Sequence, residues 1–215
     1  MGHFAKDVQQ FNSRTCQVVL GAGAMRSAGL KNITAKHLAL ASQSLSIMIA
    51  LIPYIREALR RHLSAKQSVM LTEFDKLKRD FQEHQYEIHA KLVAIMNDRL
   101  AVHCKALQAI DWNVEQTKGV NGYMETLVKE TATLHKVLAK YLHAQTLDQV
   151  IGQVLADINA RLAEEYGRIE LRDTDAKARL LADARFLQTK LAELKGLTRP
   201  TPGQVRGQDL SHEPF

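Results

Sequence analysis

Residues 64–110 read SAKQSVMLTEFDKLKRDFQEHQYEIHAKLVAIMNDRLAVHCKALQAI, and this stretch decides the fold. Ser64 followed by Gln67 is the pattern of a capping box, so a helix is predicted to begin at Ser64. Large apolar residues then recur at steps of three, four or seven, which places them on one face of a helix: Met70, Phe74, Leu77, Phe81, Ile88, Leu92, Ile95 and Val102. The sequence therefore predicts one amphipathic helix about 70 Å long, which needs neighbouring helices along its whole length.

A second helix is predicted before this stretch, capped by Asn32 or Thr34. Pro53 lies inside it and lacks a backbone donor, so a kink is expected there. Its main apolar stripe is widened by three further residues, Leu40, Ile47 and Leu51. We therefore expect this helix to be buried on more than one side.

Four other helices are predicted from the same spacing of apolar residues. They begin near Phe4, Met124, Thr146 (as the cap) and Asp173 or Thr174, in chain order. The first should end among the glycines of residues 21–29, and the last at Gly196. Because no stretch has a convincing strand pattern, the fold class is all-α, an elongated bundle of about six antiparallel helices. Residues 1–196 are predicted to form this bundle, and residues 197–215, which hold three prolines, a flexible tail.

The composition limits the class of protein. The chain has 215 residues, of which 24% are charged and 46% hydrophobic, as in ordinary globular domains. Two cysteines, Cys16 and Cys104, are too few for a disulfide framework, so a reducing compartment is expected, and no secretory signal is recognisable. The most membrane-like run, Leu45 to Ile55, is shorter than the about 20 residues that span a bilayer. We interpret it as a buried helix face.

The positive charge is concentrated in the first third of the chain. Residues 1–66 hold nine Lys and Arg against two acids, Asp7 and Glu57, whereas the formal net charge of the whole chain is +6. Four of these cations define what we call the basic junction, between the second and third helices: Arg56, Arg60, Arg61 and Lys66. We predict that the basic junction contacts anionic lipid or an acidic partner. The alternative is that these cations only complement the C-terminal end of a helix or form a solvated face.

A glycine-rich segment imitates a dinucleotide-binding turn. Residues 18–25 read VVLGAGAM, like a strand that runs into the glycines of that motif. The motif needs a third small residue where Arg26 stands and an acid about 20 positions later, but no Asp or Glu occurs from Val8 to Arg56. The residues before the glycines also fit a helical period. We therefore expect no nucleotide cofactor.

The histidines and acids have no spacing that is typical of a catalytic or metal site. His84 and His89 are five residues apart, so they diverge around a helix, and His103 and Cys104 are adjacent and diverge as well. No Glu-x-x-His pair and no nucleophile motif occurs. We therefore assign no catalytic, cofactor-binding or metal-binding residue and expect no enzyme. A basic nucleic-acid-binding module is an alternative, but aromatic residues are not interleaved with the cations, so no nucleic acid is expected.

Three stretches carry a resemblance to a known family. They are LIPYIR at residues 51–56, MLTEFDKL at residues 70–77 and EIHAKLVAIMND at residues 87–98, of which KLVAIM at residues 91–96 is the sharpest. Together with LKGL at residues 194–197, they resemble the C-terminal domain of the vacuolar protein sorting-associated protein 54 family. These proteins are subunits of the Golgi-associated retrograde protein (GARP) tethering complex. The motifs are packing motifs, so they indicate a family without marking a site.

The resemblance implies a fold and a function. The fold would be the elongated helical bundle of multisubunit tethering complexes, and the function the capture of endosome-derived vesicles at the trans-Golgi network. Implied partners are the other tethering subunits, through an N-terminal part that this chain lacks, and an endosomal membrane protein or anionic lipid. The implied location is cytoplasmic and peripheral, on trans-Golgi network and endosome membranes. A subunit of a related tether, the exocyst or the conserved oligomeric Golgi complex, is the alternative.

Overall fold

Six helices make up most of the part of the chain that the structure describes. The computed structural model describes residues 2–20, 33–64, 69, 71–112, 119–171 and 174–198, and no strand occurs within these ranges. The helices are α1 (Gly2–Val19), α2 (Ala35–Arg60), α3 (Thr72–Gln108), α4 (Gly122–Leu138), α5 (Ala144–Gly167) and α6 (Thr174–Thr198). The prediction of an all-α bundle of about six helices is confirmed.

The long helix α3 is the element on which the others assemble. It contacts α1, α2, α4 and α5, and α6 packs against α4 and α5. Its 37 residues span about 55 Å. The start predicted at Ser64 is wrong, because Ser64 is not helical and α3 begins at Thr72. The Thr72 hydroxyl donates to the Val69 carbonyl at 2.7 Å, and Glu73 and Asp75 place negative charge in the first turn.

The predicted α3 stripe is confirmed from Phe74 to Leu92 and wrong at its last two positions, and Met70 lies outside the described residues. Five predicted residues are buried: Phe74, Leu77, Phe81, Ile88 and Leu92. Ile95 is only half-buried and Val102 is 56% exposed, whereas the buried residues after Leu92 follow mainly in steps of four: Met96, Leu100, Cys104 and Leu107. Four residues exceed one turn, so such steps rotate the buried face around the helix. The polar side-chain contacts change in the same sense. His84 and His89 contact α1 and α2, whereas Asn97 and His103 contact α5 and α4.

Helix α2 packs against α3 through only one of its two apolar faces. Thr34 is its N-cap, and the Thr34 N–H lies 3.1 Å from His37 Nδ1. The helix continues through Pro53 to Arg60, and its inner face buries Leu38, Leu45 and Ile52. The prediction that the second stripe is also buried is wrong, because Leu40, Ile47 and Leu51 are 39%, 54% and 45% exposed. These side chains remain exposed although α1 and α4 also contact α2.

Several helix ends differ from the predictions. Helix α1 ends at Val19, so no strand precedes the glycine-rich segment, and residues 21–32 lie outside the described residues. Helix α5 begins at Ala144 rather than after a cap at Thr146, because the His143 carbonyl accepts the first helical hydrogen bond, from Leu147 N–H at 2.9 Å. Helix α6 passes the expected stop at Gly196 and ends at Thr198. The predicted flexible tail lies almost entirely outside the described residues.

Candidate functional site

The basic junction lies where α2 ends, and its arginines are paired with carboxylates. Arg56 Nε lies 3.1 Å from Asp75 Oδ1, at the start of α3. Arg60 donates two hydrogen bonds to Glu57, each 2.8 Å long, and Arg61 Nε lies 3.7 Å from the same carboxylate. The structure therefore brings three of the four predicted residues together, and the fourth, Lys66, is outside the described residues.

Pairing reduces the positive charge of the basic junction without hiding its side chains. The hydrogen bonds from Arg60 are the largest cause that lowers the pKa of Glu57 below its usual value. The side chains of Arg56, Arg60 and Arg61 are 35%, 56% and 72% exposed. Exposed pairs of this kind contribute little to folding stability, so the cations are available to exchange a carboxylate of this chain for an external anion.

A second surface lies on α2, opposite the face that packs on α3. We call it the outer seam. It consists of six positions at alternating steps of four and three, all of them exposed: Leu40, Ser44, Ile47, Leu51, Tyr54 and Ala58. This spacing is the heptad repeat by which helices pack side by side. Sequence reasoning misassigned the seam to the core, because periodicity shows that a face is apolar but not whether this chain covers it.

Polar contacts between α2 and α3 fix the direction in which the outer seam points. Ser42 Oγ lies 2.8 Å from His89 Nε2, and Gln85 Nε2 donates to the Ser42 carbonyl at 3.0 Å and to Ser46 Oγ at 2.6 Å. These contacts lie on the inner face of α2, where a polar group needs a partner, so rotation of the helix would leave them unsatisfied. The outer seam is therefore held away from α3.

Helix α2 is also the one described helix that is long and apolar enough to cross a membrane by length and composition alone. A third of its most apolar stretch is buried within the bundle. The interpretation of residues Leu45 to Ile55 as a buried face is therefore only half correct, because Leu45 and Ile52 are buried whereas Ile47 and Leu51 are exposed.

Histidines of α3 make polar contacts with three neighbouring helices. His84 Nδ1 lies 2.8 Å from Asn12 Oδ1 on α1, whereas His89 contacts α2 through Ser42. His103 Nε2 lies 2.8 Å from Glu130 Oε2 on α4. Within the described ranges no group of three or more His, Cys, Asp or Glu is placed to hold a metal ion. Burial raises the pKa of the thiols of both cysteines, which makes the nucleophilic thiolate less available.

We expect the domain to lose stability when the pH falls from about 7.5 to about 5.5. Burial lowers the pKa of His84, His89 and His135 in the folded chain. In the unfolded chain these histidines bind protons below about pH 6.5. In the folded chain they bind protons only at a lower pH. Their contribution to stability is therefore complete above that pH and is lost as the pH falls toward the folded pKa values.

Thermal melting followed by circular dichroism at several pH values tests this prediction. The carboxylates titrate mostly below about pH 4.5, so the interval chosen reports mainly on histidines. The variant His135→Leu removes one buried ring, whose Nε2 has no hydrogen-bond partner, and should make the fall in melting temperature smaller. A melting temperature that is constant or rises on acidification would show that these rings are charged in the folded chain.

Comparison with known proteins places the chain in a family. The family model described as Vps54-like protein matches residues 2–99. Vacuolar protein sorting-associated protein 54, chloroplastic, of Arabidopsis thaliana is 39% identical over 79% of this chain, and the protein 54 of Schizosaccharomyces pombe is 36% identical over 75%. The human protein 54 is 32% identical over 88% of the chain. No solved structure matches.

The matched region is a small part of each relative. The chain spans 17% of the Arabidopsis protein, 16% of the S. pombe protein and 19% of the human protein. The similarity nevertheless covers three quarters or more of this chain, and the range of the family model includes the outer seam and the basic junction. The chain belongs to the family of Vps54-like proteins and corresponds to the C-terminal part of these relatives.

Proposed function

We propose that this chain is the C-terminal helical domain of a vesicle-tethering subunit, and that it works in retrograde transport from endosomes to the trans-Golgi network. The observation that supports the proposal most strongly is the match over most of the chain to proteins named for vacuolar protein sorting. The complex would be the Golgi-associated retrograde protein complex. The domain would act by binding alone, without catalysis.

The proposed partners follow from the same assignment. Other tethering subunits would bind through the region that precedes this domain in the longer relatives. The domain itself would meet an endosomal membrane protein or anionic lipid, so the protein would be cytoplasmic and peripheral on trans-Golgi network and endosome membranes. The similarity to named relatives gives no support to the exocyst, the conserved oligomeric Golgi complex or a nucleic-acid-binding module.

Within this proposal, the basic junction is the contact for the anionic surface. Arg61 is the most exposed of its described cations, and its guanidinium has five N–H donors, most of which remain available beside a Glu57 contact of 3.7 Å. Arg56 and Arg60 would exchange their intramolecular carboxylates for lipid phosphates or for carboxylates of a partner. Guanidinium groups suit both anions, because they form paired hydrogen bonds with each.

The double variant Arg56→Glu with Arg60→Glu tests this contact in the full-length protein. We expect recruitment to endosomal membranes to be lost, because two attractive charges become repulsive. Helicity should be unchanged, because exposed charges contribute little to folding. The measurements are fluorescence localisation and circular dichroism of the same variant.

The matched control is Lys190→Glu on α6, which reverses another exposed cation in a pair, 3.0 Å from Glu193. It should leave localisation unchanged. If the double variant localises normally at normal expression, the arginines only complement the end of α2 and neutralise nearby acids, and the contact lies elsewhere.

A further inference from the structure

We propose that the outer seam of α2 is the docking surface for an amphipathic helix of a partner protein, and that this helix carries acidic residues beside its apolar face. The outer seam adjoins the basic junction at Arg61, but its apolar residues are not part of that junction, so this inference goes beyond the function proposed above. It rests on the spacing, exposure and charge of α2.

The spacing of the outer seam is the first argument. Both faces of α2 repeat in steps of four and three, but only the inner face is buried, although α2 contacts α1, α3 and α4. Along the outer seam, the small Ser44 lies between Leu40 and Ile47, and the small Ala58 follows the large Leu51 and Tyr54. This alternation offers knobs and holes to a second helix over about 27 Å. Tyr54, which is 76% exposed, is of a type enriched at protein interfaces.

The charge of the outer seam determines the kind of partner. Lys36 lies four residues before Leu40 and Arg61 three residues after Ala58, so both extend the line of the seam, and both are exposed. The sequence has no acid from Val8 to Arg56, and Glu57, the one acid of α2, is bound to Arg60. A helix with acidic residues at its ends would meet these cations favourably.

The same charges disfavour a second copy of this chain. In a parallel pair of α2 helices, Lys36 would meet Lys36 and Arg61 would meet Arg61. In an antiparallel pair, Lys36 would meet Arg61. Both arrangements place like charges together, which is a cost that an acidic helix avoids.

A bilayer fits the outer seam less well than a helix does. Leu40 and Leu51 are 39% and 45% exposed, so neither side chain protrudes fully into solvent. Helices that lie on membranes bury a protruding apolar face and carry many cations beside it. The line of the seam has only two cations, one at each end. A shallow ridge of this shape matches a packed helix.

The test uses the whole chain and a synthetic peptide of four heptads, with leucine at positions a and d and glutamate at e and g. We expect fluorescence anisotropy to show a dissociation constant on the order of micromolar, as for a small interface. A scrambled peptide of the same composition, and a peptide with lysine in place of glutamate, should each bind at least about tenfold more weakly.

Two matched pairs of substitutions identify the surface. Ile47→Ser with Leu51→Ser should weaken binding at least about tenfold, because two central apolar contacts are lost. The control, Val102→Ser with Leu181→Ser, removes apolar side chains of nearly equal exposure (56% and 41%, against 54% and 45%) on α3 and α6, and should leave binding unchanged. Lys36→Glu with Arg61→Glu should reverse the preference, so that the lysine peptide binds better.

The proposal is overturned if the glutamate peptide binds no better than the scrambled one, or if the seam and control variants bind it equally. It is also overturned if the peptide does not bind and the outer seam makes another contact instead. In that case the seam substitutions would abolish binding to phosphatidylserine vesicles or self-association measured by sedimentation. Circular dichroism of each variant excludes unfolding as the cause. Ile47→Ser with Leu51→Ser leaves the basic junction unchanged, and Arg56→Glu with Arg60→Glu leaves the apolar residues of the outer seam unchanged. Either proposal can therefore fail without the other.

Discussion

Replacing Leu162 by glutamine is expected to lower the free energy of unfolding by about 2–5 kcal/mol. Leu162 is 3% exposed on the inward face of α5, in line with Ile158 and Val154, which are also buried. Glutamine there would lose apolar packing and bring a polar amide into the buried face of α5. In cells the variant should accumulate to a lower steady-state level, because a larger unfolded fraction is exposed to proteolysis.

Urea unfolding followed by circular dichroism measures this effect. The control is Leu181→Gln, because Leu181 is 41% exposed on α6 and the same change there should alter stability by about 0.5 kcal/mol or less. If Leu162→Gln unfolds at the same urea concentration as the unaltered chain, the inward face of α5 does not contribute to the core.

The sequence predicts the fold well where the spacing of apolar residues fits only one face of a helix. Between Phe74 and Leu92 the steps of three, four and seven select a single face, and all five predicted residues are buried. Beyond Leu92, both Ile95 and Met96 fit the next turn, and the choice depends on which helix packs there. Contacts with α4 and α5 decide it in favour of Met96, and no local pattern contains that information.

Some helix starts were predicted correctly and others were not, because packing as well as the capping residue decides where a helix begins. Thr34 does cap α2, where an extended residue meets the first helical turn. Ser64 and Thr146 have equally suitable side chains, yet the N-cap of α3 is Leu71 and that of α5 is His143. A capping residue stabilises a helix start by only about 1 kcal/mol, so the packing of a whole turn against the bundle outweighs it.

The two candidate surfaces differ in what the sequence could reveal. The cluster of cations in the basic junction and its local partner Glu57 are visible as a run of residues, but the pairing of Arg56 with Asp75 is not, because the two are 19 residues apart. The outer seam is visible as an apolar stripe, but its exposure is not. Whether such a stripe is covered depends on the number of helices around α2, which only the assembled bundle shows.

The second large effect is expected for a chimera in which this chain replaces the C-terminal region of the S. pombe relative. The two sequences are 36% identical over 163 residues. At this identity a core tolerates many volume-conserving changes, so the domain should fold and join the longer protein. If the proposed function holds, the chimera should restore retrograde transport almost fully to cells that lack the relative. A chimera carrying Leu162→Gln should restore it poorly, because less folded protein would be present.

The measurement is the steady-state distribution of a recycling cargo receptor between endosomes and the trans-Golgi network. Cells with no relative, with the unaltered relative, with the relative lacking its C-terminal region, and with the chimera are compared at equal expression. The account predicts that the chimera returns the receptor to the trans-Golgi network as the unaltered relative does, whereas the truncated protein does not. A stably expressed chimera that leaves the receptor in endosomes, like the truncated protein, would contradict it.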